Sequence, residues 1–154
     1  MTVTMELQGA DDIVRELGKL QKQFGKEIAD ARVTTGNLVA GDARKSVQRT
    51  SQGNRVLRYH AGRSTPKTHT ASRPGDAPNT DTGQLVKAIT VVIKSDFVYV
   101  GVGRGGVRDY ASWLEFGTKH MAPRPFMEPA LLGRQKTLDK LLQDILERGS
   151  SSGN

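Results

Sequence analysis

The sequence predicts an α+β fold: a mainly antiparallel sheet with a long amino-terminal helix and a carboxy-terminal helix packed on one face, plus a long basic loop or hairpin. Three observations carry this reading. Segments near both ends repeat apolar residues at helical spacing, a β-branched and aromatic block between them folds back on itself, and one stretch in the first half concentrates basic charge. With 154 residues a single domain can bury a core of its own without staples. The expected organisation is one domain over 1–148 and a disordered Ser/Gly tail over 149–154.

Val3, Met5 and Leu7 alternate with Thr4, Glu6 and Gln8, the period of a half-buried strand, and Gly9 closes it. Asp11 is placed to cap a helix whose apolar residues Ile13, Leu17, Leu20, Phe24 and Ile28 form one stripe. Val39, Ala43 and Val47 extend the stripe towards Val47, while Thr34, Thr35, Gly36 and Gly41 are poor helix formers that oppose the extension. The stripe is expected to be buried, so Leu17→Asp, which puts a charge on it, should prevent folding or ring formation.

Further on, Pro74-Gly75-Asp76-Ala77-Pro78-Asn79-Thr80 reads as an ordered, turn-rich connection. Asp81 and Gln84 have the spacing of an N-cap and a third helical residue, so a short helix is expected from Asp81 to Ile89. Thr90–Lys94 and Phe97–Val102 are two strands around a Ser95-Asp96 turn. Gly103–Gly106 reads as a flexible junction. Asp109 then caps a helix with Tyr110, Trp113 and Leu114 on one face, and Gly117 is a left-handed terminator. Met121–Phe126 must be extended because Pro123 and Pro125 each restrict themselves and the residue before. Pro129 suits the first turn of a final helix striped by Leu131, Leu138, Leu141, Leu142 and Ile145.

Net charge is +7, and the segment from Arg44 to Arg73 accounts for all of it. That segment holds eight of the 23 basic residues and none of the 16 acidic ones, which leaves the rest of the chain at −1. It is too poor in large apolar residues to offset its own ordering entropy, so a mobile loop or long hairpin is expected. Its basic side chains, Arg55, Arg58, Arg63, Lys67 and Arg73 among them, suit contact with phosphate or an acidic partner surface. They equally suit a solvated loop.

Most chemistries lack their parts. There is no cysteine, so zinc ribbons, disulfide scaffolds and thiol catalysis are out. No apolar run reaches the ~18 residues of a membrane helix, and no signal-peptide pattern opens the sequence, so a cytoplasmic origin without membrane contact is expected. Gly101-Val102-Gly103-Arg104-Gly105-Gly106 matches a dinucleotide fingerprint literally, but a hairpin precedes it where a βαβ unit is required. His60, His69 and His120 lack metal-ligand spacing, and Asp76 and Asp81 are explained by a turn and a helix cap. With no positioned base, nucleophile or metal, no enzymatic activity and no cofactor are expected. Sequence-specific nucleic-acid motifs are also missing, which leaves nonspecific phosphate contact through 44–73 as the alternative function.

Four blocks in fixed order resemble a known family. They are Pro74-Gly75-x-x-Pro78-x-x-Asp81-Thr82-Gly83-x-Leu85, the β-hairpin, Tyr110-Ala111-x-x-x-Glu115-Phe116-Gly117-Thr118, and Ala122-Pro123-Arg124-Pro125-Phe126-x-x-Pro129-Ala130-Leu131. This order is similar to the neck or tail-completion family of long-tailed phages named for gene product ten of phage HK-ninety-seven, to which the lambda Z tail protein is likened. The resemblance implies a non-enzymatic virion protein, assembled in the host cytoplasm. It would form a ring, a hexamer in preference to a dodecamer, between the head-closure connector and the tail terminator, around the channel that DNA traverses.

On that reading, Asp81, Thr82, Gly83, Leu85, Tyr110, Glu115, Phe116, Gly117, Thr118, Arg124, Pro125 and Phe126 are motif and subunit-interface candidates. Arg55, Arg58, Arg63, Lys67 and Arg73 would face the DNA channel or an acidic neighbour. Tyr110, Trp113 and Phe116 fall three residues apart, so at least one ring should leave the domain's own core. Arg124, stiffened by flanking prolines, could meet a neighbour's carboxylate or pair within its own chain. Trp113 and Phe126 could equally be core.

Overall fold

The computed structural model describes residues 10–59, 62, 64–103 and 105–151. In chain order the elements are α1 (Ala10–Gln48), β1 (Arg55–Arg58), β2 (Lys67–Thr70), α2 (Gln84–Ala88), β3 (Ile89–Ile93), β4 (Val98–Val102), α3 (Gly105–Phe116) and α4 (Met127–Ser151). The class is α+β as expected, but the described strands form two separate two-stranded antiparallel ladders, β1–β2 and β3–β4. The strand expected at Val3–Leu7 lies outside the described residues.

The first helix is an unbroken 39 residues, so Asp11 lies inside it and does not cap it. Gly36, which argued against continuation, is explained by packing. A Cβ there would stand 2.5 Å from a methyl of Val98, so the β3–β4 hairpin lies against the helix backbone at this point. The hairpin turns Val91 and Val100 toward the core, which Val39, Ala40, Ala43 and Val47 build from the helix side, and Val98 lies against Gly36 beside them. Arg32 donates to the Asp96 carbonyl at 2.6 Å and Arg44 to the Ile89 carbonyl at 2.6 Å, so the two ends of the hairpin are tied one helical stretch apart.

The last helix runs antiparallel along α1. Phe24 lies on Gly149, where a Cβ would collide with its ring. Glu27 pairs with Arg148 at 3.4 Å, and Asp42 receives Arg134 Nε at 2.5 Å and a second guanidinium nitrogen at 3.1 Å. The helix therefore continues through Gly149 to Ser151, where a disordered tail was expected from 149 onward; residues 152–154 lie outside the described set. Ile145 and Ala130 are buried, whereas Leu131, expected on the stripe, faces outward. Leu17 also fails as a buried residue, being 59% exposed, because α4 reaches only to the neighbourhood of Phe24 and leaves the start of α1 overhanging.

The basic segment is neither one loop nor wholly irregular. Arg44–Gln48 belong to α1, and Arg55–Arg58 pair with Lys67–Thr70 in a hairpin. Its base is pinned by Asn79, whose amide donates to the carbonyls of Ser51 and Thr70, each at 2.8 Å, while its oxygen accepts from Ser51 N at 2.7 Å. A single side chain in the Pro-rich connection thereby holds both strands of the arm to the body.

The cap of α2 also differs from expectation. Gly83, at φ 75°, occupies the N-cap position, and the helix begins at Gln84, so Asp81 lies upstream of the cap. The expected junction at Gly103–Gly106 is shorter, since α3 already opens at Gly105 and carries Asp109 in its interior. Gly117 does terminate α3 in the left-handed region, at φ 75°.

The turn from α3 to α4 is built around one carboxylate. Glu115 Oε2 accepts from the N–H groups of Phe126 at 2.9 Å and Met127 at 3.1 Å, and Oε1 accepts from Glu128 N at 2.8 Å. A helix start leaves four amides without intrahelical partners and carries partial positive charge, so a carboxylate reaching across from the preceding helix satisfies both needs. Arg124 N in turn donates to the Leu114 carbonyl at 2.6 Å, occupying an otherwise orphaned acceptor at the end of α3.

Three outcomes follow from this packing. Glu115→Ala should lower stability by about 1–2 kcal/mol in denaturant titration, with Glu115→Gln intermediate because one acceptor oxygen survives. Gly117→Val should cost at least ~1–2 kcal/mol, from the left-handed φ and because a Cβ would sit 2.8 Å from the Met121 carbonyl oxygen. Hydrogen bonds from Arg134 hold the Asp42 carboxyl below its ordinary value of 3.8, partial burial opposes them, and the charges of Arg134, Lys45 and Arg49 add to the lowering. The native state therefore favours the ionised form, and this contribution is complete above that value and lost as pH falls through and below it. The melting-temperature difference between wild type and Asp42→Asn should be present at pH 7 and vanish in strong acid.

Candidate subunit interface

Helix α3 has two unlike sides. Ala111 and Leu114 are buried and Val107 packs against the core, so the opposite side must face out. It carries Tyr110, Trp113 at 56% exposure and Phe116 at 81%. Trp113 is therefore surface in the single chain. A three-residue spacing cannot keep all three rings on the inward stripe, and the helix turns every one of them towards solvent.

The β3–β4 hairpin has a comparable outer face. Its register sets Val92 opposite Tyr99, and both are exposed, as is Phe97 at the turn. The rings of Phe97 and Tyr99 lie 6.1 Å apart and tilted by 42°, a favourable aromatic arrangement standing in water. Leu57 and Tyr59 add apolar surface on the basic arm. So much large apolar surface outside the core, on several elements, marks a chain that buries it against something else.

The motif residues separate into two groups. Asp81, Thr82, Gly83, Leu85 and Tyr110 line one cleft of about 350 Å³, whose other wall includes Arg58 and His69 of the arm. Leu85 itself is core. The second group, Glu115 to Phe126, forms the α3–α4 turn. There Phe126 is among the most deeply buried side chains, which corrects its candidacy as a surface residue. Glu115 is engaged with backbone amides, Thr118 bridges to Met121, and Gly117 supplies the turn. Arg124 is half-buried, Pro125 likewise, and Arg124 donates to Ser72 Oγ at 2.8 Å, so it pairs within its own chain. Its Nε is buried and finds no partner among the described residues. Of the motif's side chains, Tyr110, Phe116 and Leu131 are the large apolar ones left exposed.

The basic candidates also divide. Arg58 lies directly opposite Lys67, with His69 across from Val56 on the same face. Like charges directly opposed weaken a ladder. Neither has an ion pair among the described residues. Arg55 is exposed, Arg73 turns back to the Gln52 carbonyl at the arm's base, and Arg63 lies outside the described residues. Asn79 and Ser72 were missed as organising residues. An Asn directly after Pro78 in an ordered, turn-rich connection hinted at the first, while nothing local marks the second.

The glycine string after β4 does run into a helix, but β4 pairs antiparallel with β3, so the parallel crossover that cradles a dinucleotide is not formed there. Among the described residues no group of His, Asp and Glu could hold a metal ion, and no helix is long and apolar enough to cross a membrane.

Residues 11–117 match the family model HK97-gp10_like, described as "Bacteriophage HK97-gp10, putative tail-component". The match runs from the start of α1 to the terminating Gly117, so it includes the first two motif blocks and the third up to Gly117, while Thr118 and the Ala122–Leu131 block lie beyond it. No curated protein and no solved structure matches the chain. Membership gives the chain a structural role in the phage tail, hence a place in the virion and contacts with other virion proteins. From the long helix to the left-handed glycine, this chain belongs to the HK97-gp10-like family of bacteriophage tail components.

Proposed function

We propose that the chain is a ring-forming subunit at the junction of tail and head, seated between the head-closure connector and the tail terminator. One observation carries the reading. Two different apolar patches are exposed on one small body, Tyr110, Trp113 and Phe116 on α3 and Val92, Phe97 and Tyr99 on the hairpin. A ring requires a heterologous contact, in which one patch meets a different patch on the next copy. The hexamer is the favoured closed form, with a dodecamer as the larger alternative. Catalysis has no part in such a role. The protein acts by joining.

The arm gives a second surface. Arg55, Arg58 and Lys67, exposed and without carboxylates nearby in sequence, would face channel DNA or an acidic neighbouring ring. The alternative of a free-standing nonspecific nucleic-acid binder rests on the same side chains.

Electron microscopy of purified protein should show closed rings, and phage made without it should accumulate unjoined heads and tails. Infectious, fully joined particles from the deletion would overturn the proposal. Trp113→Asp with Phe116→Asp should leave circular dichroism unchanged and abolish the ring, since both residues are exposed in the single chain. Binding to duplex DNA should fall steeply with salt for the alternative, and triple neutralisation of Arg55, Arg58 and Lys67 should remove it.

A further inference from the structure

The β3–β4 ladder is a two-stranded sheet with open edges. Its bonds at Lys94–Phe97 and Ala88–Gly103 fix the alternation of bonded pairs. Val98 and Val100 of β4 therefore turn their N–H and C=O groups outward, as Val91 and Ile93 do on β3. On β3 the first outward carbonyl, that of Ile89, is taken by Arg44. Along β4 no backbone partner is found among the described residues. Exposed edges are ordinarily protected by charge, proline or a bulge. Val98-Tyr99-Val100-Gly101-Val102 has no charge and no proline.

The same chain contains a segment with the opposite need. Val3, Met5 and Leu7 alternate with polar residues in the pattern of a strand that must pair on an edge and cover one face. How far it can reach toward its own hairpin is limited by α1, which begins at Ala10. The near end of that hairpin is marked by Asp96 bonded to Arg32. Along an unbroken helix, Ala10 is about 33 Å from Arg32 at 1.5 Å per residue. Leu7 lies three residues before Ala10, and an extended chain covers only ~10 Å in that distance. The donor strand of one copy falls far short of its own acceptor edge.

We infer that residues 3–7 of one copy pair with the β4 edge of a second copy, so that neighbouring subunits are joined by strand addition. The inference rests on the reading of the chain as a self-assembling subunit and specifies how copies are linked. Strand addition supplies main-chain hydrogen bonds that a patch-to-patch apolar contact lacks. The overhanging start of α1, with Val14 and Leu17 exposed, then becomes the bridge between bodies.

The absence of cysteine makes the test direct. Met5→Pro removes a ladder donor without touching α1, and should leave circular dichroism and melting unchanged while sedimentation shows the assembly reduced to monomers. Separately tagged Met5→Cys and Tyr99→Cys chains, coexpressed and treated with a short bis-maleimide, should yield a cross-linked pair carrying both tags, and neither variant alone should cross-link. Wild-type association by Met5→Pro would overturn strand addition. If Trp113→Asp with Phe116→Asp still dissociates in that case, the ring reading stands without it. A full-length chain that stays monomeric and gives no mixed cross-link would also overturn the inference, and the phage deletion then decides the ring reading separately.

Discussion

Three backbone amides at the start of α4 converge on the Glu115 carboxylate of the preceding helix. Much of the architecture depends on that convergence. It sets the angle at which α4 leaves the turn, which drives Phe126 into the core and lays the last helix along α1. The turn tolerates this only because Gly117 adopts a left-handed conformation and because Arg124 N satisfies the Leu114 carbonyl. A helix terminus, a glycine and a proline-stiffened strap thus act as one unit. The side chain of Arg124 extends the unit to Ser72, tying the turn to the strap beside the arm.

The core that results is modest in side-chain size. Its largest fully buried members are Phe126, Ile89 and Val47, while the tryptophan and several phenylalanine and tyrosine rings are outside. Small residues of α1, such as Gly36, Ala40 and Ala43, let the hairpin and α4 approach closely. The large apolar residues that a self-contained domain would place in its centre are spent on surfaces. A phage tail component has reason to be built this way, because its native environment is other virion subunits.

The reach of α1 has a similar double role. Where α4 and the β3–β4 hairpin cover it, it is the spine of the body; toward its start it projects beyond α4 with Val14 and Leu17 exposed. One helix is therefore packed into the fold at one end and exposed at the other. The basic arm is organised on the same plan, pinned at its base by Asn79 and exposed along Arg55–Arg58.

Local patterns in the sequence determined the long helices, the β3–β4 hairpin, the left-handed Gly117 and the acid-free arm, because each is dictated by periodicity, backbone restriction or charge within a few residues. The family was legible too, from motif blocks in a fixed order. Tertiary structure alone decided the rest. Glu115 looked like an interface charge and caps a helix, Phe126 looked ambiguous and is core, and Gly36 looked like a break and is a contact point. Asp81 and Asp109 had cap spacing, yet the helices start elsewhere. Each of these depends on which distant segment arrives beside the residue, and no local spacing encodes that. Leu17 shows the same limit from the other side: its stripe is amphipathic by sequence, but burial requires a partner, and α4 ends too soon to provide one.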